Sequence, residues 1–127
     1  MAIELNHTIV HASDNKVSAT FLADLFDRGE PTPYGPFLQV KLDNQVELDF
    51  MTVDRVHQQH YAFLVSDEEF DAILGRIQDR GLPYWADPSH TKPQEINQGD
   101  GGRGVYWDDP DGHILEIITV PYGGWPS

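Results

Sequence analysis

The sequence predicts an α+β fold in which the order strand, helix, strands occurs twice. The first observation is a pair of octapeptides, HTIVHASD starting at His7 and HYAFLVSD starting at His60, which share their first residue and their final Ser-Asp. The second is that apolar residues at helical spacing follow each octapeptide, and short extended runs follow the helix. We therefore expect a structural duplication, with little identity between the halves beyond the octapeptides.

The first half is expected to contain one helix and three strands. The strands are predicted at residues 3–11, 37–42 and 45–51. Asp14 is placed to cap the helix, which should end by Gly29, ahead of two prolines. Asp43 and Asn44 resemble a tight hairpin turn between the last two strands.

The second half repeats this order. Its strands are predicted at residues 60–65, 82–86, 105–107 and 113–120. Ser66 and Glu69 match the capping-box pattern for a helix that ends near Gly81. A turn with Pro and Gly at residues 109–112 joins the last two strands. The polar segment 87–104 is long for a connection within a compact domain, and we expect it to be a mobile lid.

Length and composition limit the function classes. A chain of 127 residues is one domain, and we place its two modules at about residues 1–56 and 57–127 because each alone is too small to bury a stable core. The net charge of −13 argues against nucleic acid and anionic membranes as partners. The chain has no cysteine and no long apolar run, so we expect a cytoplasmic protein. The acidic charge is compatible with a small-molecule substrate or drug as the partner.

Three side chains suggest a metal site. His7 and His60 begin equivalent strands of the two halves, and Glu116 lies among apolar residues in the last strand. A buried carboxylate is costly unless it is paired, protonated or bound to a cation. Two His and one Glu are the set that holds a divalent metal while leaving positions open for substrate. Without thiolate ligands the metal could be Fe, Mn, Ni, Co or Zn.

The chain resembles the vicinal oxygen chelate superfamily, which includes glyoxalase I, bleomycin-resistance proteins, fosfomycin-resistance transferases and extradiol dioxygenases. The stretches that carry the resemblance are LNHTIVHASD at 5–14, HYAFLVSDEEFDAILGRIQDRGLPYW at 60–85 and VYWDDPDGHILEI at 105–117. The resemblance implies two βαβββ modules that form a curved, mostly antiparallel open sheet around a metal pocket. The family's metal ligands match His7, His60 and Glu116, and a pocket tyrosine matches Tyr106.

The resemblance also implies a role for Glu47 and a homodimer. Glyoxalase I has a Glu at the place of Glu47, as a fourth ligand or a general base; the alternative is an exposed strand face, with Gln45 and Asp49 on the same side. Family members often pair modules across chains, so His7 is expected from one chain and the other two ligands from its partner.

Two functions follow from the resemblance. The first is a metal-dependent enzyme of the glyoxalase/dioxygenase type, acting on a small oxygen-rich molecule by metal chelation of vicinal oxygens. Whether it is a lyase, a dioxygenase or a transferase stays open. The alternative is an antibiotic-binding protein of the bleomycin-resistance kind, which sequesters a drug without catalysis. The three metal-binding side chains favour the enzyme, because an aromatic drug alone would be better held by apolar residues.

Overall fold

The computed structural model describes residues 2–126, and the chain divides into two compact units, Met1–Gln58 and Gln59–Ser127. The α+β class and the duplication predicted from the sequence are confirmed, since each unit has one helix and a small mixed sheet. No helix among the described residues is long and apolar enough to cross a membrane.

The first unit is a four-stranded sheet with one helix. Its elements are β1 (His7–Ala12), α1 (Asn15–Phe26), β2 (Thr32–Tyr34), β3 (Phe37–Lys41) and β4 (Glu47–Thr52). The strand order is β1-β4-β3-β2, with β1 parallel to β4 and the other neighbours antiparallel. This pattern places β1 at one edge of the sheet, next to the strand that carries Glu47 and Asp49.

Helix α1 forms where the sequence predicts it, because Asp14 caps it by accepting a hydrogen bond from the Lys16 N–H. It ends at Asp27, whose left-handed backbone lets its N–H bond back to the last turn. The apolar side of the helix and alternate residues of the strands form the core of this unit. The buried core residues include Leu22, Leu25 and Phe26 of the helix and Val10, Val40, Leu48 and Phe50 of the sheet.

The second unit has a three-stranded sheet and a longer helix. Its elements are β5 (His60–Leu64), α2 (Asp67–Asp79), β6 (Gly104–Asp108) and β7 (Ile114–Ile118), with one short 3₁₀ turn at Gly99–Gly101. The strand order is β5-β7-β6, with β5 parallel and β6 antiparallel to β7. Ser66 caps α2 by accepting from the Glu69 N–H at 3.1 Å. Phe70, Ile73 and Ile77 of α2 are buried with Val105 and Trp107 of β6 and Leu115 and Ile117 of β7.

The structure corrects several predicted boundaries. The strand predicted at residues 3–11 begins at His7, where the ladder with β4 starts, and Ile3 and Leu5 are exposed. The sequence analysis does not predict β2, whose central residue is a proline, a residue that edge strands accept because its missing N–H faces solvent. The strand predicted at 82–86 is wrong as a strand, because Trp85 is its one bridged residue. Trp85 forms reciprocal backbone bonds of 2.9 and 2.8 Å with Tyr106 and an isolated bridge with Pro93.

The segment 87–104 has internal structure. The carboxylate of Asp87 accepts hydrogen bonds from the backbone N–H groups of Thr91 and Lys92, and His90 stacks on Trp85 with ring centroids 3.6 Å apart. Asn97 pairs with Gly104 through two backbone bonds. The Ala86 N–H also bonds to the Lys92 carbonyl, and the Gln94 N–H bonds to the Tyr84 carbonyl. Backbone bonds therefore hold the segment near its middle as well as at its ends, and a lid motion stays a prediction.

Candidate metal centre

Two of the three predicted ligands meet in the second unit. His60 begins β5 and Glu116 lies in the middle of β7, on neighbouring parallel strands. The Nε2 atom of His60 is 2.9 Å from Oε1 of Glu116. Glu116 is only 1% exposed, whereas the His60 side chain is 42% exposed. The pair therefore has a buried carboxylate on one side and an accessible imidazole on the other.

Two tyrosines surround the carboxylate. The hydroxyl of Tyr122 donates to Glu116 and lies 2.6 Å from Oε1 and 2.8 Å from Oε2. The hydroxyl of Tyr106 is 3.3 Å from that of Tyr122. Burial is the main cause that raises the pKa of both phenols, and the neighbouring carboxylate adds to it. Both phenols therefore keep their protons at neutral pH and act as hydrogen-bond donors.

The pair fits a metal ion by its chemistry and spacing. An imidazole nitrogen and a carboxylate oxygen are ligands for Fe, Mn, Co, Ni and Zn. In the structure the two atoms form a direct hydrogen bond of 2.9 Å. Adjacent ligands of one octahedral ion, each about 2.1 Å from it, have a similar separation of about 3 Å, so an ion could replace this hydrogen bond without a large movement of either side chain. The partners of the buried carboxylate in the structure are the Tyr122 hydroxyl and the His60 imidazole. A bound cation would add the charge compensation that a buried carboxylate favours.

The third predicted ligand, His7, lies in the first unit. It begins β1 and stands in register with Glu47 on β4. Its Nδ1 atom is 2.7 Å from the side-chain oxygen of Asn6, and the residue is exposed. Within residues 2–126, no group of three His, Asp or Glu side chains is close enough to hold a metal ion.

Glu47 and Asp49 form a carboxylate pair in the first unit. The amide nitrogen of Gln39 donates to both of them, at 2.8 Å to Glu47 and 3.2 Å to Asp49. Glu47 is half-buried, and Asp49 is 5% exposed. The expectation that Asp49 belongs to an exposed strand face is wrong, because the side chain is buried beside the Gln39 amide.

The strand register identifies Asp49 as the first-unit counterpart of Glu116. In the second unit Glu116 is in register with Ala62 on the parallel neighbour and with Tyr106 on the antiparallel one. In the first unit His7 of β1 is in register with Glu47 of β4. Two positions further along β4 is Asp49, which is in register with Ile9 on the parallel neighbour and with Gln39 on the antiparallel one. From the sequence, Glu47 is the candidate site carboxylate of this unit; the register that distinguishes it from Asp49 depends on the pairing of β1 with β4.

Tyr122 is a further residue at the carboxylate that was not assigned to the site from the sequence. Aromatic residues near strand ends are more often part of a core, yet this one is 66% exposed and bonded to Glu116. Its proximity depends on how the chain turns after β7, where Gly124 N–H bonds to the Pro121 carbonyl. No residue pattern in the sequence encodes that turn beyond the two glycines at 123 and 124.

A groove in the second unit lies apart from the pair. Its volume is about 950 Å³, within the range of small-molecule pockets. Its walls include Leu64, Arg103 and Trp125. Arg103 is held by Asp67 and Asp71 at 3.0 and 2.7 Å, so its charge is already partnered. Neither His60 nor Glu116 lines this groove, and the geometry of the carboxylate is a better guide to chemistry than the size of a cavity.

No family model matches the chain. Among solved structures, the oxidase ChaP-H1 is 64% identical, with a TM-score of 0.94; the match covers 97% of this chain and 100% of that one. Glutathione transferase FosA of Serratia marcescens is 28% identical over 92% of this chain and 81% of its own length. Metallothiol transferase FosB of Shouchella clausii is 27% identical over 91% and 79%.

The paired units, the His–Glu site and these relatives together define a metal-dependent enzyme with the glyoxalase fold. The chain belongs to the vicinal oxygen chelate superfamily, as the sequence resemblance implied. One of these relatives is named a metallothiol transferase, and the homologues support a divalent metal as the class of cofactor.

Proposed function

We propose that this enzyme is a metal-dependent oxidase of a small molecule that carries two adjacent oxygens. The observation that carries the proposal is the buried Glu116 carboxylate, 2.9 Å from the accessible imidazole of His60. The 64% identity to a protein named an oxidase, over the whole of that chain, favours oxidation over thiol transfer. The relatives named as thiol transferases are less than half as identical.

The metal site we propose consists of His7, His60 and Glu116. A set of two His and one carboxylate with open positions is typical of non-haem Fe(II) enzymes that use oxygen, so we propose Fe(II) as the metal. Zn(II) is less suited to this reaction, because it has no redox chemistry. When bound, the ion supplies a Lewis acid that two neighbouring oxygens of the substrate can chelate.

The protein side chains would then orient the substrate and move its protons. Tyr106, whose ring centroid is 6.0 Å from that of His60, keeps its proton and can donate to a substrate oxygen as negative charge develops there. Glu47 is our proposed general base, and Asp49, which shares the Gln39 amide with it, is the second carboxylate that could accept a proton.

The proposed reaction balances with dioxygen as the electron acceptor. A vicinal diol on an aromatic ring loses two protons and two electrons to become a quinone. Dioxygen accepts the two protons and the two electrons and becomes hydrogen peroxide. Each turnover therefore consumes one O₂, and thiol is not required.

The test combines metal binding with oxygen consumption. We expect the Co(II)-substituted protein to change its absorption spectrum on addition of acetohydroxamate, a bidentate oxygen ligand. We expect the Fe(II)-loaded protein to consume O₂ and release peroxide with catechol as the probe, and a Glu116→Gln variant to do neither. Unchanged Co(II) spectra, together with equal binding of an aromatic antibiotic by metal-free protein, would favour drug sequestration instead.

The homodimer and the cytoplasmic location also belong to this proposal. A dimer would give the site a route to its third ligand, since His60 and Glu116 supply only two from the second unit. Sedimentation of the metal-loaded protein as a monomer would contradict the dimer, and fractionation of the source cells would test the location.

A further inference from the structure

The segment after β7 brings a tyrosine onto the buried carboxylate. The Tyr122 hydroxyl is 2.6 and 2.8 Å from the two oxygens of Glu116, although the residue as a whole is 66% exposed. An exposed tyrosine gains little by pointing its hydroxyl inward unless the acceptor requires a donor. Glu116, at 1% exposure, is such an acceptor.

We propose that Tyr122 is a positioning residue for the metal ligand Glu116. This inference rests on the proposed function, because it takes Glu116 as a ligand. The phenol orients the carboxylate and supplies one of the hydrogen bonds that a ligating carboxylate needs outside the metal itself.

The hydrogen-bond geometry supports this role. Oε1 of Glu116 faces His60 Nε2, so it is the oxygen directed to the ion position. The Tyr122 hydroxyl is 2.6 Å from this oxygen and 2.8 Å from Oε2, so a single proton reaches either one. With an ion at Oε1, the hydroxyl would donate to Oε2. Without substrate, the Tyr106 hydroxyl, 3.3 Å from that of Tyr122, can donate its one proton to the Tyr122 oxygen. When that proton turns to a substrate oxygen, the Tyr122 hydroxyl still donates to Glu116.

The backbone holds Tyr122 in this place. The Thr119 N–H bonds to the Arg103 carbonyl at 3.0 Å, and the Arg103 N–H bonds to Thr119 Oγ1 at 2.8 Å. The Gly124 N–H closes a turn by bonding to the Pro121 carbonyl at 2.8 Å. Tyr122 lies inside that turn, so its direction follows from fixed backbone on both sides.

The test compares Tyr122→Phe with Tyr34→Phe. Each variant removes one hydroxyl and keeps the ring, and Tyr34, in β2 of the first unit, is 68% exposed. Co(II) is titrated into wild type and both variants, and the visible absorption of the bound ion is recorded. We expect Tyr122→Phe to bind Co(II) about 10- to 100-fold more weakly and to shift its absorption bands. We expect Tyr34→Phe to match wild type.

Three results would overturn the inference. Unchanged affinity and an unchanged spectrum in Tyr122→Phe would make the contact with Glu116 incidental. Tighter binding in Tyr122→Phe would make the phenol a competitor of the metal for the carboxylate. If wild type binds no Co(II), the proposed function itself fails, and the inference fails with it; the wild-type titration distinguishes this result from the other two.

Discussion

Glu116 in the second unit and Asp49 in the first occupy the same position of the strand register, and they differ in what surrounds them. Glu116 accepts from the Tyr122 hydroxyl and lies 2.9 Å from the His60 imidazole. Asp49 accepts from the amide of Gln39, which also donates to Glu47. Both carboxylates are buried, at 1% and 5% exposure.

The two units share a strand register that gives each of them a carboxylate at the same position. The chemistry available to each carboxylate depends on the side chains around it, and these differ. Within its unit Glu116 has a histidine nitrogen at a spacing that suits a shared ion. In the first unit the histidine that begins β1 has the same register, two positions before Asp49 as His60 is two positions before Glu116. Its Nδ1 atom, however, is 2.7 Å from the side-chain oxygen of Asn6. The proposed function accordingly gives metal binding to the second-unit carboxylate and proton transfer to the first-unit pair.

The largest effect we predict tests this assignment directly. Glu116→Gln keeps the size of the side chain but removes the charge that a cation requires, so metal affinity should fall about 100-fold or more. Asp49→Asn should change the affinity less than about threefold. Competition with a chromophoric chelator measures both values, after circular dichroism has established that the variants are folded. Equal losses in the two variants would mean that both carboxylates are ligands, and the functional contrast between the units would disappear.

The second prediction asks whether the units cooperate across chains. His7→Ala and Glu116→Ala should each bind metal poorly when alone. If His7 comes from the partner chain, a mixed dimer of the two variants contains one intact site, so an equal mixture should recover about a quarter of the wild-type sites. Metal analysis after unfolding and refolding of the mixture measures this recovery. No recovery in mixtures that do form mixed dimers would contradict the shared site.

Much of the fold and part of the site could be predicted from the sequence. Both helices are predictable because Asp14 and Ser66 cap them and apolar residues recur at helical spacing. Glu116 is found because a charged residue among apolar strand residues demands an explanation, and His60 because it begins a repeated octapeptide. Their 2.9 Å separation is beyond the sequence, because it depends on which strands are neighbours and in which register.

The remaining parts depend on tertiary structure. The sequence assigns Asp49 to an exposed face because alternation alone cannot tell which face of a sheet is covered. Tyr122 is missed because its contact depends on a turn after the last strand. The strand expected at 82–86 is limited to one bridged residue, Trp85. Before it, Pro83 has no N–H to donate, and after it the side chain of Asp87 accepts hydrogen bonds within a turn.

The third prediction concerns the segment that follows β7 in the second unit and carries Tyr122. A Cβ atom at Gly102 would lie 2.6 Å from Val120 Cγ2 and 2.7 Å from Thr119 Oγ1. Gly102→Ala should therefore push on the start of this segment and destabilise the protein by about 1–3 kcal/mol. Gly75→Ala is the control, because Gly75 lies inside α2 with nothing within 4 Å of the new atom; it should stabilise by about 0.5–1 kcal/mol. Urea unfolding measures both, and equal stability of the two variants would contradict the packing argument.

The smallest effect we predict compares the turns that precede β4 and β7. In the first unit Asp43 is exposed, with 77% of its side chain accessible. In the second unit Asp109 is buried, and its Oδ1 accepts from the Asp111 and His113 N–H groups at 2.9 and 2.8 Å. Burial raises the pKa of Asp109 in spite of these hydrogen bonds.

This pKa shift sets the sign of a pH effect. A carboxyl whose pKa is raised by folding binds its proton more tightly in the folded state, so its contribution to stability is present below its unfolded pKa of about 3.9 and is lost as the pH rises through the folded value. An asparagine in place of Asp109 would not titrate, and its side-chain oxygen could accept the same two bonds. Asp109→Asn should therefore gain stability relative to wild type as the pH rises above about 4. Asp43→Asn should show a flatter difference, because an exposed surface ion pair contributes little. Urea unfolding across this pH range measures the difference for each variant. The contrary outcome is a difference in unfolding free energy between Asp109→Asn and wild type that stays constant or falls as the pH rises. The two hydrogen bonds would then offset the effect of burial on the pKa of Asp109, and the two turns would not differ in their pH dependence.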